Sequence, residues 1–316
     1  MKLMVTGAAG FIGSHLSERL VRDGHDVLGV DSFLDYYPRE IKENNVSGLL
    51  GNPRFTFIEG DLLRLNLGDA LNGVEAVFHQ AAIPGVRHSW GERFAQYVDN
   101  NVLATQCLLE ACKDADITRF IYASSSSVYG DAESLPVTED SPTRPISPYG
   151  VSKLAGENLV RLYYVNYGVP TVSLRYFTIY GPRQRPDMGF HRFILSVERG
   201  EEIPVYGDGG QTRDFTFIDD AVEANVAALV RGGAGEVYNI GGGNRIGLKS
   251  AISLIEDVVG KSAKVVYVEP QKGDARDTFA DVGKAGEGLG YKPATRIEEG
   301  LRLQRQWIRN HLELYS

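Results

Sequence analysis

The chain has 316 residues, 43% of them hydrophobic and 23% charged, with 33 Lys and Arg against 41 Asp and Glu for a net charge of −8. This is ordinary globular composition, enough for one large or two fused domains, and it excludes collagen, coiled coil and disorder as the main architecture. The acidic balance repels a phosphate polymer at long range, so no nucleic-acid partner is expected.

The N-terminal run MKLMVTGAAG holds too short an apolar stretch for a signal peptide, and no later run reaches membrane-spanning length. A soluble, cytoplasmic chain without a membrane partner is therefore expected. Cys107 and Cys112 are five apart, a spacing that does not share a helix face, so reduced thiols and no metal are expected.

Short apolar runs alternate with helical patterns through the first half. Strands are expected at Leu3–Thr6, Asp26–Val30, Phe55–Ile58, Ala76–His79, Arg119–Ser124 and Thr171–Leu174. Helices are expected at Phe11–Arg22, about Phe94–Lys113 and Tyr149–Tyr167. Strands alternating with helices imply a parallel sheet covered on both faces, hence an α/β doubly wound fold. After about Tyr180 the pieces shorten and glycine punctuates them, which predicts a smaller mixed α/β lobe. The expected division is a dinucleotide domain over 1–180 and a substrate lobe mainly over 181–316. Residues 214–231 are expected to return elements to the main sheet, extending to about 240.

Gly7, Gly10 and Gly13 form G-x-x-G-x-x-G between the first strand and the first helix. Glycines there serve a tight turn, a close approach of backbone to a pyrophosphate, and close helix–strand packing. The helix N-terminus then offers free N–H groups and a positive dipole end. Asp31 ends the second strand, 18 residues after Gly13, where a carboxylate accepts both adenosine ribose hydroxyls and repels a 2′-phosphate. NAD is expected over NADP. Asp61, after the third strand, is a candidate partner for the adenine amino group.

Tyr149 and Lys153 stand four apart at the start of a helix, on one face. An ammonium beside a phenol favours the phenolate and makes Tyr149 a general base toward a hydroxyl. Ser124 to Ser127 follow the fifth strand, at the end that lines the ligand crevice in a doubly wound sheet.

With these features in this order the sequence resembles the extended short-chain dehydrogenase/reductases, in particular the nucleotide-sugar 4-epimerases. The resemblance spans essentially the whole chain through GAAGFIGSHL, VDSF, HQAA, YVDNNVLATQCLLEAC, ASSSSVYG, SPYGVSKLAGE, LRYFTIYGPRQRPDM and VYGDGGQTRDFTFIDD. It implies Ser125, Tyr149 and Lys153 as the catalytic set, and a tightly held NAD recycled within each turnover. NAD would be lined by Gly7, Gly10, Phe11, Ile12 and Gly13, by Asp31 and Ser32, by Asp61 and Leu62, by Gln80, Ala81 and Ala82, and by Asn100, Tyr149, Lys153, Tyr176 and Phe177. The nucleoside diphosphate and sugar would meet Val205, Tyr206, Gln211 and Arg213, with Arg87, Gly189, Phe190, Asp274 and Arg276 nearby. Where the family often has a late phosphate-binding Arg, this chain has Gln271, so Lys272 or Arg276 would substitute. The helices near 94–113 and 149–167 resemble the family's dimer-forming pair, which implies a homodimer.

Family dehydratases carry an Asp-Glu pair where this chain has Ser126 and Ser127, and decarboxylases carry Glu at the second position. Their absence favours simple epimerisation. The run RYFTIYGPRQRPDM is closer to UDP-glucuronate 4-epimerases, with Thr178 and Arg185 as partners for a C6 carboxylate. UDP-glucuronate to UDP-galacturonate is the expected reaction. The alternatives are UDP-glucose/UDP-galactose epimerisation, UDP-glucuronate decarboxylation, and a non-catalytic NAD sensor on the same fold.

Overall fold

The computed structural model describes residues 1–243 and 245–315. The apolar runs become the strands β1 (Lys2–Thr6), β2 (Asp26–Asp31), β3 (Phe55–Glu59), β4 (Ala76–His79), β5 (Arg119–Ser125) and β6 (Thr171–Tyr176), buried on both faces except at the edge strand β3. Beyond them come β7 (Thr178–Tyr180), β8 (Glu202–Tyr206), β9 (Thr212–Phe217), β10 (Glu236–Ile240), β11 (Arg245–Gly247) and β12 (Lys264–Val268). A seven-stranded, fully parallel sheet has the order β10-β6-β5-β4-β1-β2-β3. The chain leaves β1 in one direction toward β2 and returns on the other side at β4. That reversal opens a crevice beyond the C-terminal strand ends.

The helices are α1 (Phe11–Arg22), α2 (Arg39–Ser47), α3 (Leu67–Ala70), α4 (Phe94–Tyr97), α5 (Ala104–Cys112), α6 (Pro148–Tyr167), α7 (Gly189–Arg199), α8 (Ile218–Arg231), α9 (Leu248–Val259), α10 (Gly283–Leu289) and α11 (Ile297–Asn310). α1 and α8 close one face of the sheet in a core that continues into the second lobe. α5 and α6 close the other face. α6 starts where the Ser147 hydroxyl accepts from the Gly150 amide with Pro148 in the first turn, and ends at Gly168 in the left-handed region.

Between α4 and α5 the helix does not break, but Val98–Leu103 is π-helical. The wider turn carries Asn100 and Asn101, and such insertions are frequent at functional sites. Beyond the main sheet lie a three-stranded sheet, β11-β9-β7, and the parallel pair β12-β8. Within residues 214–240, α8 and β10 meet the main sheet while β9 does not. β9 pairs with β7 and β11, α8 then crosses the main sheet, and β10 is the strand that adds to β6. Alternating apolar and polar residues in TRDFTF mark a strand without marking which sheet receives it.

Candidate active site

The crevice is a single cleft lined at one end by the glycine turn and at the other by Tyr149, Lys153 and Arg185. Gly7 has φ +69°, and a Cβ on it would lie 2.8 Å from the Ala81 amide nitrogen. A Cβ on Gly13 would overlap the Gly7 carbonyl oxygen, so helix and turn meet only because both are glycine. The cleft surface includes Gly10, Phe11 and Ile12, then Ser32, Asp61, Leu62, Gln80, Ala81, Ala82, Asn100 and Tyr176.

Asp31 sits at the tip of β2, buried, accepting from the amides of Ala9 (3.1 Å) and Phe33 (2.8 Å). Lys42, also buried, approaches its carboxylate at 3.9 Å and donates to the Leu34 carbonyl. The sequence reading missed Lys42, and the same cleft takes in Leu34, Tyr36 and Tyr37. Gln80 Nε2 donates to Asn225 Oδ1 (3.0 Å) and to the Tyr176 hydroxyl (3.3 Å), which fixes both residues where β4 and β6 end. An open backbone turn at a helix N-terminus, with a carboxylate on the next strand, fits a dinucleotide.

At the far end, the Ser125 hydroxyl stands beside the Tyr149 phenol. Burial pushes the Tyr149 phenol up, while the Ser125 hydroxyl and the Arg185 charge pull it down. Lys153 lies on the same helical face, but its ammonium sits 4.4 Å over the Tyr122 ring. Burial brings that ammonium down to about 7, with Glu157 raising it. Tyr97 packs edge-on to Tyr149 at 6.2 Å and donates to the Pro84 and Gly85 carbonyls.

Asn101, one residue beyond the predicted Asn100, is fully buried. It accepts from the Ile83 amide (2.7 Å) and donates to the Ile83 carbonyl and to Ser152, so it ties the loop after β4 to α6. Asn100 itself lines the cleft and donates to the Gln96 carbonyl.

Ser126 and Ser127 form the first turn after β5, with the Ser127 amide donating to Ser125 Oγ. Thr178 opens β7 beside Phe215. Arg185 gives both its Nε and Nη2 to Asp187, and Tyr36 also donates to Asp187, at 3.4 Å.

A second group gathers where the loop after β4 meets the smaller lobe. Arg87 stacks over the Tyr206 ring (4.2 Å) and pairs with Asp274 (2.8 Å). Arg213 donates to the carbonyls of Thr212 and Arg276, and burial lowers its pKa against the pull of Asp274 and Asp277. Gln211 donates to the Tyr206 carbonyl, and Arg276 approaches Asp208 at 3.6 Å.

Three expected side chains point elsewhere. The Phe177 ring is buried with Val128, Tyr129, Val137 and Ala280 and does not line the cleft. Phe190 stacks on Phe215 at 4.1 Å in the main core, and Val205 is buried in the same core. Large apolar side chains beside a site satisfy burial before ligand contact, so only the backbone there is free to face a ligand. Gly189, the first residue of α7, is exposed. Among the described residues no group of His, Cys, Asp or Glu could hold a metal ion, and no helix is long and apolar enough to cross a membrane.

A parallel sheet with a glycine-lined dinucleotide crevice and a Ser-Tyr-Lys set at its far end defines a short-chain dehydrogenase/reductase type of enzyme. The model for the NAD dependent epimerase/dehydratase family matches residues 3–241, and the chain belongs to that family. It is 47% identical to an uncharacterized UDP-glucose epimerase, YtcB, of Bacillus subtilis, over 95% of this chain and 96% of that protein. It is 38% identical to a UDP-glucuronate 4-epimerase of Thermodesulfobacterium geofontis, over 98% and 97%. It superposes with a TM-score of 0.96 on the crystal structure of UDP-glucuronic acid 4-epimerase from Bacillus cereus in complex with UDP-glucuronic acid and NAD, at 46% identity over 98% and 99%.

Proposed function

We propose that the chain is an NAD-dependent UDP-sugar 4-epimerase and that it interconverts UDP-glucuronate and UDP-galacturonate. The observation that carries the reading is the joint presence, around Tyr149, of Ser125, Arg185 and an acid-free Ser126–Ser127 turn. The B. cereus relative, solved with UDP-glucuronic acid and NAD, supports the same substrate. NAD is held by the glycine turn, with Asp31 on the ribose and Gln80, Ala81 and Asn100 along the cleft. When bound, it supplies the acceptor, and then the donor, of the hydrogen at sugar C4.

The protein's part is proton transfer and placement. Tyr149 takes the proton of the C4 hydroxyl as general base and returns it to the other face as general acid. Ser125 donates to the same oxygen while charge develops there. Lys153, buried one turn on, contributes positive charge. Arg213 and Arg87 hold the diphosphate, and the 4-keto sugar turns about that link between the two half-reactions. Arg213 suits the role because a guanidinium is a fixed planar fork for phosphate.

The keto intermediate of a uronate is a β-keto acid, inclined to lose carbon dioxide. Thr178, Ser127 and Arg185 keep the carboxylate hydrogen-bonded, with its bond to C5 turned away from the carbonyl π-system. Ser127 brings no acid that could assist the loss. A second reading, UDP-glucose/UDP-galactose epimerisation, is favoured by one observation: Arg185 already has a bidentate carboxylate partner in Asp187. Comparison of kcat/KM for UDP-glucuronate and UDP-glucose separates the two.

The exposed apolar residues Val151, Leu162, Tyr164, Val165 and Tyr167 on α6, with Val98 and Leu103 before α5, support a homodimer formed through these helices. The unpaired thiols Cys107 and Cys112 support a reducing, cytoplasmic setting. The division into a dinucleotide domain and a nucleotide-sugar lobe near residue 180 belongs to the same reading.

A further inference from the structure

Tyr149, Lys153 and Glu157 follow one another at four-residue spacing on α6, so one face of the helix carries a phenol, an ammonium and a carboxylate. Glu157 is buried, and nothing in the mechanism above uses it. Its carboxylate accepts from Ser124 Oγ at 2.5 Å. It also takes Arg175 from β6 in a bidentate pair, Nη2 at 2.6 Å and Nε at 3.0 Å. Arg175 then donates to the Tyr129 hydroxyl (2.7 Å) and the Glu139 carbonyl (3.0 Å). Tyr129 donates to Asn239 of β10 (2.7 Å), which donates in turn to the Val137 carbonyl. A buried chain of hydrogen bonds therefore runs from beneath Lys153, past the strand end that carries Ser125, to the far edge of the sheet.

The charges of this interior balance with Lys153 and Tyr149 either both ionised or both neutral. Arg175 is a cation and Glu157 an anion, so without Glu157 the Arg175 charge would stand against an ionised Lys153. The other groups facing Lys153 do not alter that count. His79 from β4 is held neutral, brought down to about 3 by burial and by Lys153. The Tyr122 phenol from β5 is pushed up by burial, then by Glu157 and Tyr149. Arg185 acts on Tyr149 from across the cleft.

We propose that Glu157 is a positioning residue of the epimerase reaction: through Ser124 and Arg175 it locks the Tyr149–Lys153 turn of α6 to the end of β5, and it supplies the buried negative charge that this turn requires. The proposal rests on Tyr149 and Lys153 being the reacting pair. Loss of the carboxylate makes the interior more positive, which lowers the proton affinity of Lys153 and of Tyr149 together. Both limbs of a pH–rate profile then move toward acid.

The test is the pH dependence of kcat for UDP-glucuronate with the NAD-loaded enzyme, in wild type, Glu157→Gln, Glu157→Asp and the pair Glu157→Gln/Arg175→Met. The pair leaves no unmatched buried charge and serves if Glu157→Gln alone folds poorly. The proposal expects the profile of Glu157→Gln to shift toward acid by about one pH unit. It expects kcat at neutral pH to fall by about tenfold or more, with KM changed much less. Glu157→Asp should recover most of the profile, and the pair, in which an anion and a cation leave together, should fold as wild type and bring the profile back toward wild type while kcat stays low, because the tie to β5 is gone. A wild-type profile in Glu157→Gln, or a wild-type kcat in the pair, overturns the proposal. If Tyr149→Phe is inactive at the same time, the reading of the reacting pair survives that failure. If Tyr149→Phe turns over normally, that reading fails first.

Discussion

Asp187 takes both arms of the Arg185 guanidinium, Nε to Oδ1 and Nη2 to Oδ2, each at 3.0 Å. The pair lies at the mouth of the cleft, with Tyr36 donating to the same carboxylate. Burial opposes the charge of each partner, but the pairing wins for both: Arg185 stays above its ordinary pKa and Asp187 below. A substrate carboxylate that engages Arg185 must share it with Asp187.

That sharing sets the first prediction. Arg185→Ala lowers kcat/KM for UDP-glucuronate beyond its effect on UDP-glucose by the value of a charged hydrogen bond, about 1.5–3 kcal/mol, while any loss passed through Tyr149 is common to both. Equal loss on both substrates in steady-state assays would show that Arg185 acts on Tyr149 or the loop and not on the carboxylate.

Tyr149→Phe removes the proton-transferring oxygen and little else, because the ring keeps its edge contact with Tyr97. Turnover should fall by about 10²- to 10⁴-fold, the usual span of general acid–base contributions. Melting temperature and NAD affinity should stay near wild type. A variant that keeps more than about a tenth of the rate removes Tyr149 as the base.

Lys153 predicts an exchange between stability and activity. Its ammonium is brought from 10.5 to about 7 by burial, so below about pH 7 the folded chain carries the full cost of a buried charge. Between about 7 and 10.5 the unfolded chain binds more protons than the folded one, and stability rises with pH through that window. In cofactor-free protein, Lys153→Met should therefore melt higher than wild type at pH 7, with the gap closing as pH approaches 10, while activity is lost. A gap that widens with pH would contradict the assignment.

Asp31 predicts cofactor choice. A 2′-phosphate would meet its carboxylate in a partly desolvated cleft. Lys42, 3.9 Å away, offsets part of that repulsion. Calorimetry on stripped protein should give NADP an affinity about tenfold or more below NAD, and Asp31→Asn should narrow the difference. Equal affinity in the wild type would count against the role.

The parts of this site that sequence made legible are local. The glycine turn, Asp31 and the Tyr149/Lys153 spacing each depend on a few adjacent residues and one element's geometry. What sequence did not reveal depends on distant residues meeting. Lys42 reaches Asp31 from α2, and Arg175 reaches Glu157 from the next strand. Asn101 escaped because the π-helical turn moves it off the phase of a regular helix. Phe177, Phe190 and Val205 lie within motifs that border the site, yet their apolar side chains turn to the core. The same limit applies to β9, whose pattern identifies a strand but not its sheet.

The account's central claim is that a uronic acid is inverted at C4 with its carboxylate retained. An NMR time course on purified chain with UDP-glucuronate tests it most directly. The account predicts UDP-galacturonate approaching an equilibrium mixture from either sugar, with no carbon dioxide released and no net reduced cofactor appearing in solution. UDP-xylose or a UDP-4-keto-pentose as the main product would contradict it, as would an inert UDP-glucuronate beside a rapidly epimerised UDP-glucose.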